Sequence, residues 1–333
     1  MTVKRRAFLV RTAAATTWAA AVAANPLLAL RPAWAAGSCT LGVWAHDVAD
    51  LQSKLDFTFH GIRHNQGMQT PLPADRELEW HDQGHWLIYR NANAETLGGG
   101  GGQVCLSWRA IAQGSHDDYF RTGARNLMQD KRFTKARPYL FSFHHEQVVN
   151  DRHQCGARAC GTPADYVAAY RHVRTIFDNL GATVSRGGNV KFVWTPAASQ
   201  FRVPDNDFGA PNVDPGPAYY DYVGVDAYNR RWHSELLFKD PVDLLGAAQQ
   251  YAKKRRKRLL IAEFGVEDGP KSPSHLAKAR FLLDTAALIR SWGASGPGSV
   301  VAWYFTSLDA NRLDSSPAVL SAARQIVSMP FFG

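Results

Sequence analysis

Residues 241–263, PVDLLGAAQQYAKKRRKRLLIAE, place a helical pattern directly before a short apolar run that ends in a carboxylate. Pro241 stands in the first turn of the predicted helix, where its missing N–H leaves no bond unmade. The basic run 253–258 closes the helix, and its cations complement the negative C-terminal end of the helix dipole. The apolar run 259–262 then predicts a strand with Glu263 at its tip.

The same alternation of short apolar runs with longer helical patterns continues from Leu41 onward, which predicts βα units around a parallel sheet. The strands are predicted at 42–45, 86–89, 139–143, 191–194, 222–225, 259–262 and 300–305, with a weaker one at 57–63. The clearest helices are predicted at 163–180, 241–254 and 275–292. Eight such strands close on themselves, so we expect an α/β protein with a single (β/α)8 TIM barrel.

The first 35 residues are set apart from the fold because they carry an export pattern. Lys4-Arg5-Arg6-Ala7-Phe8-Leu9 is a twin-arginine motif before an alanine-rich run, and Ala33-Trp34-Ala35 is a cleavage site of small residues. We therefore predict a twin-arginine signal at 1–35 and a catalytic barrel at 36–333, secreted by a bacterium, with no stable membrane insertion after cleavage.

Two alternatives concern the same N-terminal region. An uncleaved membrane anchor is disfavoured because Asn25, Pro26 and the weakly hydrophobic alanines suit a spanning helix poorly. Lipidation of Cys39 would anchor the protein, although the branched apolar residue usual three positions before such a cysteine is missing.

The whole chain has a formal net charge of +9, and the mature chain without its leader would have a smaller one. Five basic residues and no acidic residue lie in the leader, namely Lys4, Arg5, Arg6, Arg11 and Arg31. Subtracting them leaves +4 on the barrel. The charge therefore does not indicate nucleic-acid binding, and none is expected.

Four cysteines remain after cleavage, at Cys39, Cys105, Cys155 and Cys160. An even number in an oxidising compartment predicts two disulfides, with Cys155 and Cys160 as the closest local pair. A zinc site that combines His153 with these cysteines is the alternative.

The ends of the predicted strands are rich in polar side chains, and these ends meet at the face of a barrel that carries active sites. Strand four ends in His144-His145-Glu146, and strand seven ends in Glu263. Strand six ends in Asp226 and Tyr228.

Glu146 and Glu263 lie on opposite sides of such a ring, so both carboxylates face one groove. Hydrolysis of an acetal needs this pair, because one group protonates the leaving oxygen and the other meets the developing oxocarbenium ion. Two alternatives stay open. Glu263 would also fit a salt bridge to Arg63 or Arg90, and the His-His-Glu cluster would also fit a metal site or a structural network.

Aromatic side chains near strand ends are candidates for stacking on sugar rings. These are Trp194, Trp232, Trp303 and Tyr228. Trp44 and Trp86 lie inside predicted strands, so we expect them in the core.

The motifs together resemble the β/α-barrel retaining glycosidases, whose acid/base follows strand four and whose nucleophile follows strand seven. Most of these families have Asn before the acid/base, whereas this chain has His145 there, which resembles glycoside hydrolase family 26, the β-mannanase family. Val223-Gly224-Val225-Asp226-Ala227-Tyr228, Ile261-Ala262-Glu263-Phe264-Gly265 and Trp303 are further matches. After Glu146 the chain departs from that family, because it reads Gln147-Val148-Val149-Asn150.

The resemblance implies roles for single residues. Glu146 would be the acid/base and Glu263 the nucleophile, with Tyr228 bonded to the nucleophile and Trp303 under the central sugar. His145 would support a sugar hydroxyl or the acid, and the remaining candidates for substrate contact are His144, Asp226, Trp194 and Trp232.

The sequence therefore predicts a retaining endo-β-glycanase, a monomer that needs no metal or organic cofactor. Its first expected substrate is β-1,4-mannan, followed by β-1,3-xylan, mixed-linkage β-glucan or an exopolysaccharide. The alternatives are a non-catalytic carbohydrate-binding barrel and a metal-dependent hydrolase built on His144, His145 and His153.

Overall fold

The computed structural model describes residues 38–97, 103–147, 160–203, 207–229, 239–267, 275–293, 295–308 and 311–332. Its strands are β1 (Thr40–Ala45), β2 (Gly61–Gly67), β3 (Leu87–Asn93), β4 (Glu95–Leu97), β5 (Gln103–Cys105), β6 (Tyr139–Phe143), β7 (Val190–Trp194), β8 (Tyr222–Asn229), β9 (Arg258–Val266) and β10 (Val300–Ser307). The predicted export signal at 1–35 lies outside the described residues.

Eight of these strands form one closed parallel barrel in the order β1, β10, β9, β8, β7, β6, β3, β2. The remaining two, β4 and β5, pair antiparallel as a small hairpin after β3. The prediction of a single (β/α)8 barrel is confirmed.

The helices between the strands are α1 (Val48–Leu55), α2 (Asp75–Asp82), α3 (Trp108–Ala112), α4 (Asp117–Gln129), α5 (Pro163–Asn179), α6 (Ala198–Arg202), α7 (Pro241–Lys254), α8 (His275–Ser291) and α9 (Pro317–Val327). The start of α5 shows how the sequence sets these bounds. Thr162 and Asp165 bond each other's backbone N–H in a capping box, and Pro163 occupies the first helical position. No helix among the described segments is long and apolar enough to cross a membrane.

Alternating side chains of the strands form two apolar layers. The larger layer lies between the barrel and its helices, and the smaller one fills the barrel interior. Tyr304 occupies the interior, where its ring lies against Gly42 and Gly61. A Cβ atom at either glycine would lie less than 3.0 Å from that ring, so neither position can carry a side chain. The barrel is therefore a packed core, and its polar chemistry is confined to the end at which the strands finish.

Two cysteines contradict the expectation that all four cysteines form disulfides, whereas Cys105 is disulfide-bonded. Cys39 and Cys160 are buried thiols, so the predicted pair of Cys155 with Cys160 is wrong. Cys39 precedes β1 at the base of the barrel, whereas Cys160 precedes α5 at the opposite end, which keeps their sulfur atoms apart. Cys155 and His153 lie outside the described residues. Burial of Cys39 also argues against a lipid on its sulfur.

We expect chemical labelling to show both thiols. In native protein, iodoacetamide should leave Cys39 and Cys160 unmodified, because both are fully buried and burial raises the pKa of the Cys39 thiol. After denaturation without a reductant, peptide mass spectrometry should find both alkylated. A peptide that stays unlabelled until a reductant is added would contradict the buried-thiol assignment.

Candidate active site

A polar layer lies above the apolar interior of the barrel, where β2, β6, β8 and β9 end. Its central side chains are Arg63, Asp226 and Glu263, each at most 3% exposed. His145 reaches them from the end of β6. The structure thus brings together the ends of β6, β8 and β9, which are the predicted strands four, six and seven.

A β-bulge decides the direction of Glu263. On the neighbouring strand Val225 pairs with Ile261, but Asp226 pairs with Glu263, so Ala262 is an extra residue in β9. Strict alternation would turn Glu263 toward the helices, since Ala262 already faces the interior. The extra residue turns it inward, which is how bulges commonly re-aim a side chain beside an active site.

Three donors hold the Glu263 carboxylate. Arg63 Nη2 lies 2.5 Å from Oε1, and Asn65 Nδ2 donates to the same oxygen at 3.1 Å. The Tyr228 hydroxyl donates to Oε2. Donors to both oxygens stabilise the ionised form, which is the form that can attack an anomeric carbon.

The Tyr228 hydroxyl itself is almost buried, and burial is the main reason that its pKa is raised. It also contacts Thr306 Oγ1 at 3.0 Å. The charge of Glu146 raises the pKa of Tyr228 as well. The phenol is therefore a neutral donor at neutral pH.

We expect Tyr228→Phe to lower kcat/KM about 10- to 100-fold, because a hydrogen bond to a charged group contributes about 1.5 to 3 kcal/mol. The acidic limb of the pH–rate profile should move to higher pH, since the carboxylate loses a donor to its ionised form. Tyr304→Phe is the control, because its hydroxyl bonds Leu87 O in the interior below the site. An unmoved acidic limb in Tyr228→Phe would contradict the role of the phenol.

Arg63 connects three acceptors across the barrel. Its Nη1 donates to Asp226 Oδ1 at 2.9 Å and to Ala262 O, in the bulge, at 2.7 Å. Its Nη2 lies 3.4 Å from Asp226 Oδ2 in addition to its contact with Glu263. One buried cation therefore lies between two buried carboxylates and pairs with each of them.

His145 completes this network through Nδ1, which lies 2.5 Å from Asp226 Oδ2 and 3.8 Å from Glu263 Oε1. Burial lowers the pKa of His145, and the Asp226 charge opposes this effect. Asp226 is 2% exposed and fully engaged by Arg63 and His145. Its role is to orient those two side chains, and the prediction that Asp226 contacts substrate directly is not supported by this placement.

The turn that presents Glu146 is strained and held from several sides. His144 and Glu146 have φ values of 48° and 47°, in the left-handed region that non-glycine residues avoid. Glu146 N donates to Thr195 O at 2.9 Å, and His145 N donates to Asn91 Oδ1 at 3.1 Å. These bonds fix a half-buried carboxylate at the end of β6.

Gln147 ties this turn to the next βα loop. Its Nε2 donates to His144 O at 3.0 Å and to the Tyr166 hydroxyl at 2.8 Å. Its Oε1 accepts from Gln200 Nε2 in α6 at 3.2 Å. Gln147, the first residue of the segment 147–150 that departs from the resembled family, is thus fully buried and supports the turn that carries Glu146.

His144 does not join the site. Its Nδ1 accepts from Ala94 N at 3.1 Å, and its ring lies edge-on to Trp108 at 5.0 Å. Burial lowers its pKa to about 3, so the ring is neutral. The prediction that His144 contacts substrate is wrong, because the left-handed backbone turns its ring into the core.

The predicted aromatic platforms are also different in the structure. Trp194 and Trp303 are fully buried between the barrel and its helices, so neither can stack on a sugar. Trp232 lies outside the described residues. Trp86 is in the core as expected, but Trp44 is partly exposed and Arg63 lies 5.9 Å from the centre of its ring. Trp44 is therefore an aromatic side chain near the site that is open to solvent.

β2 contributes more side chains to the site than the sequence indicated, namely Arg63 and Asn65. Arg63 appeared only as a salt-bridge alternative for Glu263, and Asn65 was missed. The sequence did indicate this face of β2, because Gly61, Arg63 and Asn65 alternate along one strand and therefore share its inner face. The alternative pairing of Glu263 with Arg63 is present in the structure, whereas Arg90 bonds Glu77 on the outer side.

The metal alternative has a different candidate set from the predicted one. Among the described residues, ligand atoms of His145, Glu146 and Asp226 lie within 4.8 Å of one another. Arg63 occupies both Asp226 oxygens and lies 2.9 Å from His145 Nδ1, so a metal ion would compete with a fixed cation for the same lone pairs. The residues present fit such an ion poorly.

Comparisons with known proteins agree with this architecture. No family model matches the sequence. Endoglucanase H of Acetivibrio thermocellus is 30% identical over 174 residues, which cover 50% of this chain and 17% of that protein. The chain thus spans a small part of the curated relative that it matches.

Solved structures with this fold include GH26 enzymes. The catalytic domain of a Bacillus sp. JAMB-750 GH26 endo-β-1,4-mannanase superimposes with a TM-score of 0.59 at 14% identity, over 89% of this chain and 87% of that chain. GH26C from a Muricauda species gives 0.60 at 12% identity, over 90% and 87%. A β-mannanase from a symbiotic protist of the termite Reticulitermes speratus gives 0.51 at 12% identity, over 89% and 88%. The chain therefore has the barrel fold of the GH26 endo-β-1,4-mannanases.

Proposed function

We propose that this protein is a retaining glycoside hydrolase in which Glu263 is the nucleophile and Glu146 is the general acid/base. Glu263 attacks the anomeric carbon while Glu146 protonates the leaving oxygen. Glu146 then removes a proton from the water that hydrolyses the glycosyl-enzyme. The observation that carries the proposal is the Glu263 carboxylate, bonded by Arg63, Asn65 and Tyr228 at the tip of a barrel strand.

The two carboxylates differ in the way this mechanism requires. Glu263 is 3% exposed and surrounded by donors, whereas Glu146 is half-buried at the rim of the site. An ionised group in a fixed orientation suits a nucleophile, and a more accessible group suits proton exchange with the leaving oxygen and with water.

The proposed substrate is a β-linked polysaccharide, cleaved internally, with β-1,4-mannan as the first choice. The similar structures support this choice, since several of them are endo-β-1,4-mannanases, and the curated relative is an endoglucanase. β-1,3-Xylan, mixed-linkage β-glucan and an exopolysaccharide are the next substrates to test.

A covalent trap tests the mechanism. A 2-fluoro sugar with a good leaving group should add its mass to the peptide that contains Glu263, because the fluorine slows hydrolysis of the intermediate. Label on another peptide would assign the nucleophile elsewhere. Proton NMR of the first-formed product is the second readout, and an inverted anomer would exclude the retaining mechanism.

A panel of β-glycans, with and without a chelator, tests the reaction class. Hydrolysis that survives chelation is expected. Activity abolished by the chelator would favour the metal-dependent alternative, and binding without hydrolysis of any glycan would favour a non-catalytic carbohydrate-binding barrel.

We further propose that residues 1–35 direct export by the twin-arginine route and that 36–333 is the mature, monomeric enzyme. The paired arginines and the small-residue cleavage site of the sequence support this proposal. Replacing Arg5-Arg6 with Lys-Lys should retain the protein in the cytoplasm of its bacterial host, and continued export would contradict the route.

A further inference from the structure

A cavity of about 320 Å³ lies at the ends of β1 and β2, beside α2. Arg63 and Asn65, which both contact Glu263, also line this cavity, so it adjoins the residues that hold the catalytic carboxylate. Trp44 and Trp80 also line it and offer apolar surface. The volume and the aromatic lining suit a sugar residue next to the one being cleaved.

The charge of this cavity has one sign. Among the described residues that line it, two are arginines, two are histidines and none is Asp or Glu. Arg63 is already paired with both Asp226 and Glu263, so its charge is not available to a ligand in the cavity. Arg76 is exposed and forms no ion pair within the described part of the chain. Arg76 therefore supplies the uncompensated positive charge.

The acidic residues of the same helix do not neutralise Arg76 at the cavity. Glu77 is buried and bonds Arg90 and His64 on its other side. Asp75 and Glu79 are exposed and do not line the cavity.

The guanidinium of Arg76 is also oriented. Its central carbon lies 5.1 Å from the centre of the Trp80 ring, in a cation–π contact. A guanidinium held against an aromatic ring can still donate its remaining N–H groups, and its planar fork matches a carboxylate.

We propose that this cavity binds an acidic sugar residue of the substrate, a uronate whose carboxylate pairs with Arg76. The inference rests on the proposed function and narrows it to β-glycans that carry acidic residues. Neutral glycans fit the same cleft but leave Arg76 without its partner.

Equilibrium binding tests the proposal without turnover. The probe is a β-1,4-linked oligosaccharide that contains glucuronate. The neutral control ligand is the same oligosaccharide with its carboxylates reduced to primary alcohols. Both are titrated into Glu263→Gln protein by calorimetry. We expect the acidic probe to bind about tenfold more tightly, with a preference that weakens as salt is added.

Substitutions test whether Arg76 causes the tighter binding of the acidic probe. Arg76→Gln should remove it, and Arg76→Lys should retain part of it because lysine keeps the charge but not the planar fork. Arg125→Gln, at an exposed arginine of α4 outside the cavity lining, makes the same change of charge and should retain the full preference. Equal binding of the two probes, binding of neither, or a preference that survives Arg76→Gln would overturn the inference.

Hydrolysis by the unmodified protein separates this inference from the proposed function. Turnover of neutral β-glycans without an acidic preference removes the acidic subsite and leaves the glycoside hydrolase in place. Failure to hydrolyse any acidic or neutral glycan removes the proposed function, whatever the binding result.

Discussion

Glu263→Ala should lower kcat on a β-glycan by about 10⁴-fold or more, the largest effect that we expect from a single substitution. The nucleophile is then missing, and no other described carboxylate is placed to replace it, since Asp226 is engaged by Arg63 and His145. The measurement is the initial rate of hydrolysis, with folding checked by circular dichroism. Substantial residual turnover would contradict the assignment.

Added azide gives this experiment its control. Azide can enter the space left by the missing carboxylate and attack the anomeric carbon directly, which forms a glycosyl azide of inverted configuration. We expect Glu263→Ala with azide to recover activity on an activated substrate and to give that product. A glycosyl azide of retained configuration would place the nucleophile at another residue.

Glu146→Ala should have the second-largest effect, and it should depend on the leaving group. Hydrolysis of a natural glycan should fall about 10²- to 10⁴-fold, because the leaving oxygen lacks its proton donor. A dinitrophenyl glycoside should still form the glycosyl-enzyme rapidly, since that leaving group needs no proton. The measurement is the pre-steady-state burst of dinitrophenol, compared between the variant and the unmodified protein.

The matched control for Glu146→Ala is Glu146→Gln, which retains the size and polarity of the side chain without its acidity. Both variants should lose the basic limb of the pH–rate profile. Equal loss of activity on the natural and the activated substrate would leave the acid role without support.

The strands could be predicted wherever their composition was uniformly apolar. The bounds of β6, 139–143, were predicted to the residue, whereas β2 was placed four residues early. The inner face of β2 carries Arg63 and Asn65, so apolar content is a poor guide to a strand that lines a polar site.

The direction of side chains was harder to predict than the strands themselves. In β10 every residue from Val300 to Phe305 is apolar, so the sequence does not indicate which face is inside. The structure places Tyr304 inside and Trp303 outside, and the proposed platform fails for that reason. The bulge at Ala262 could not be predicted from the sequence either, because no glycine or proline lies at that position.

The contacts of Arg63 couple catalysis to folding. Arg63 meets Asp226 across 163 residues of chain and Ala262 O across 199, so its partners come from the opposite half of the sequence. A chain that has folded only β1 to β7 would hold a guanidinium in its interior with neither acid to neutralise it. Those acids arrive with β8 and β9, one strand before β10 closes the ring between β9 and β1. Catalytic competence therefore requires strands from the last third of the chain to be in place, and enzymatic activity would report a late long-range step in folding.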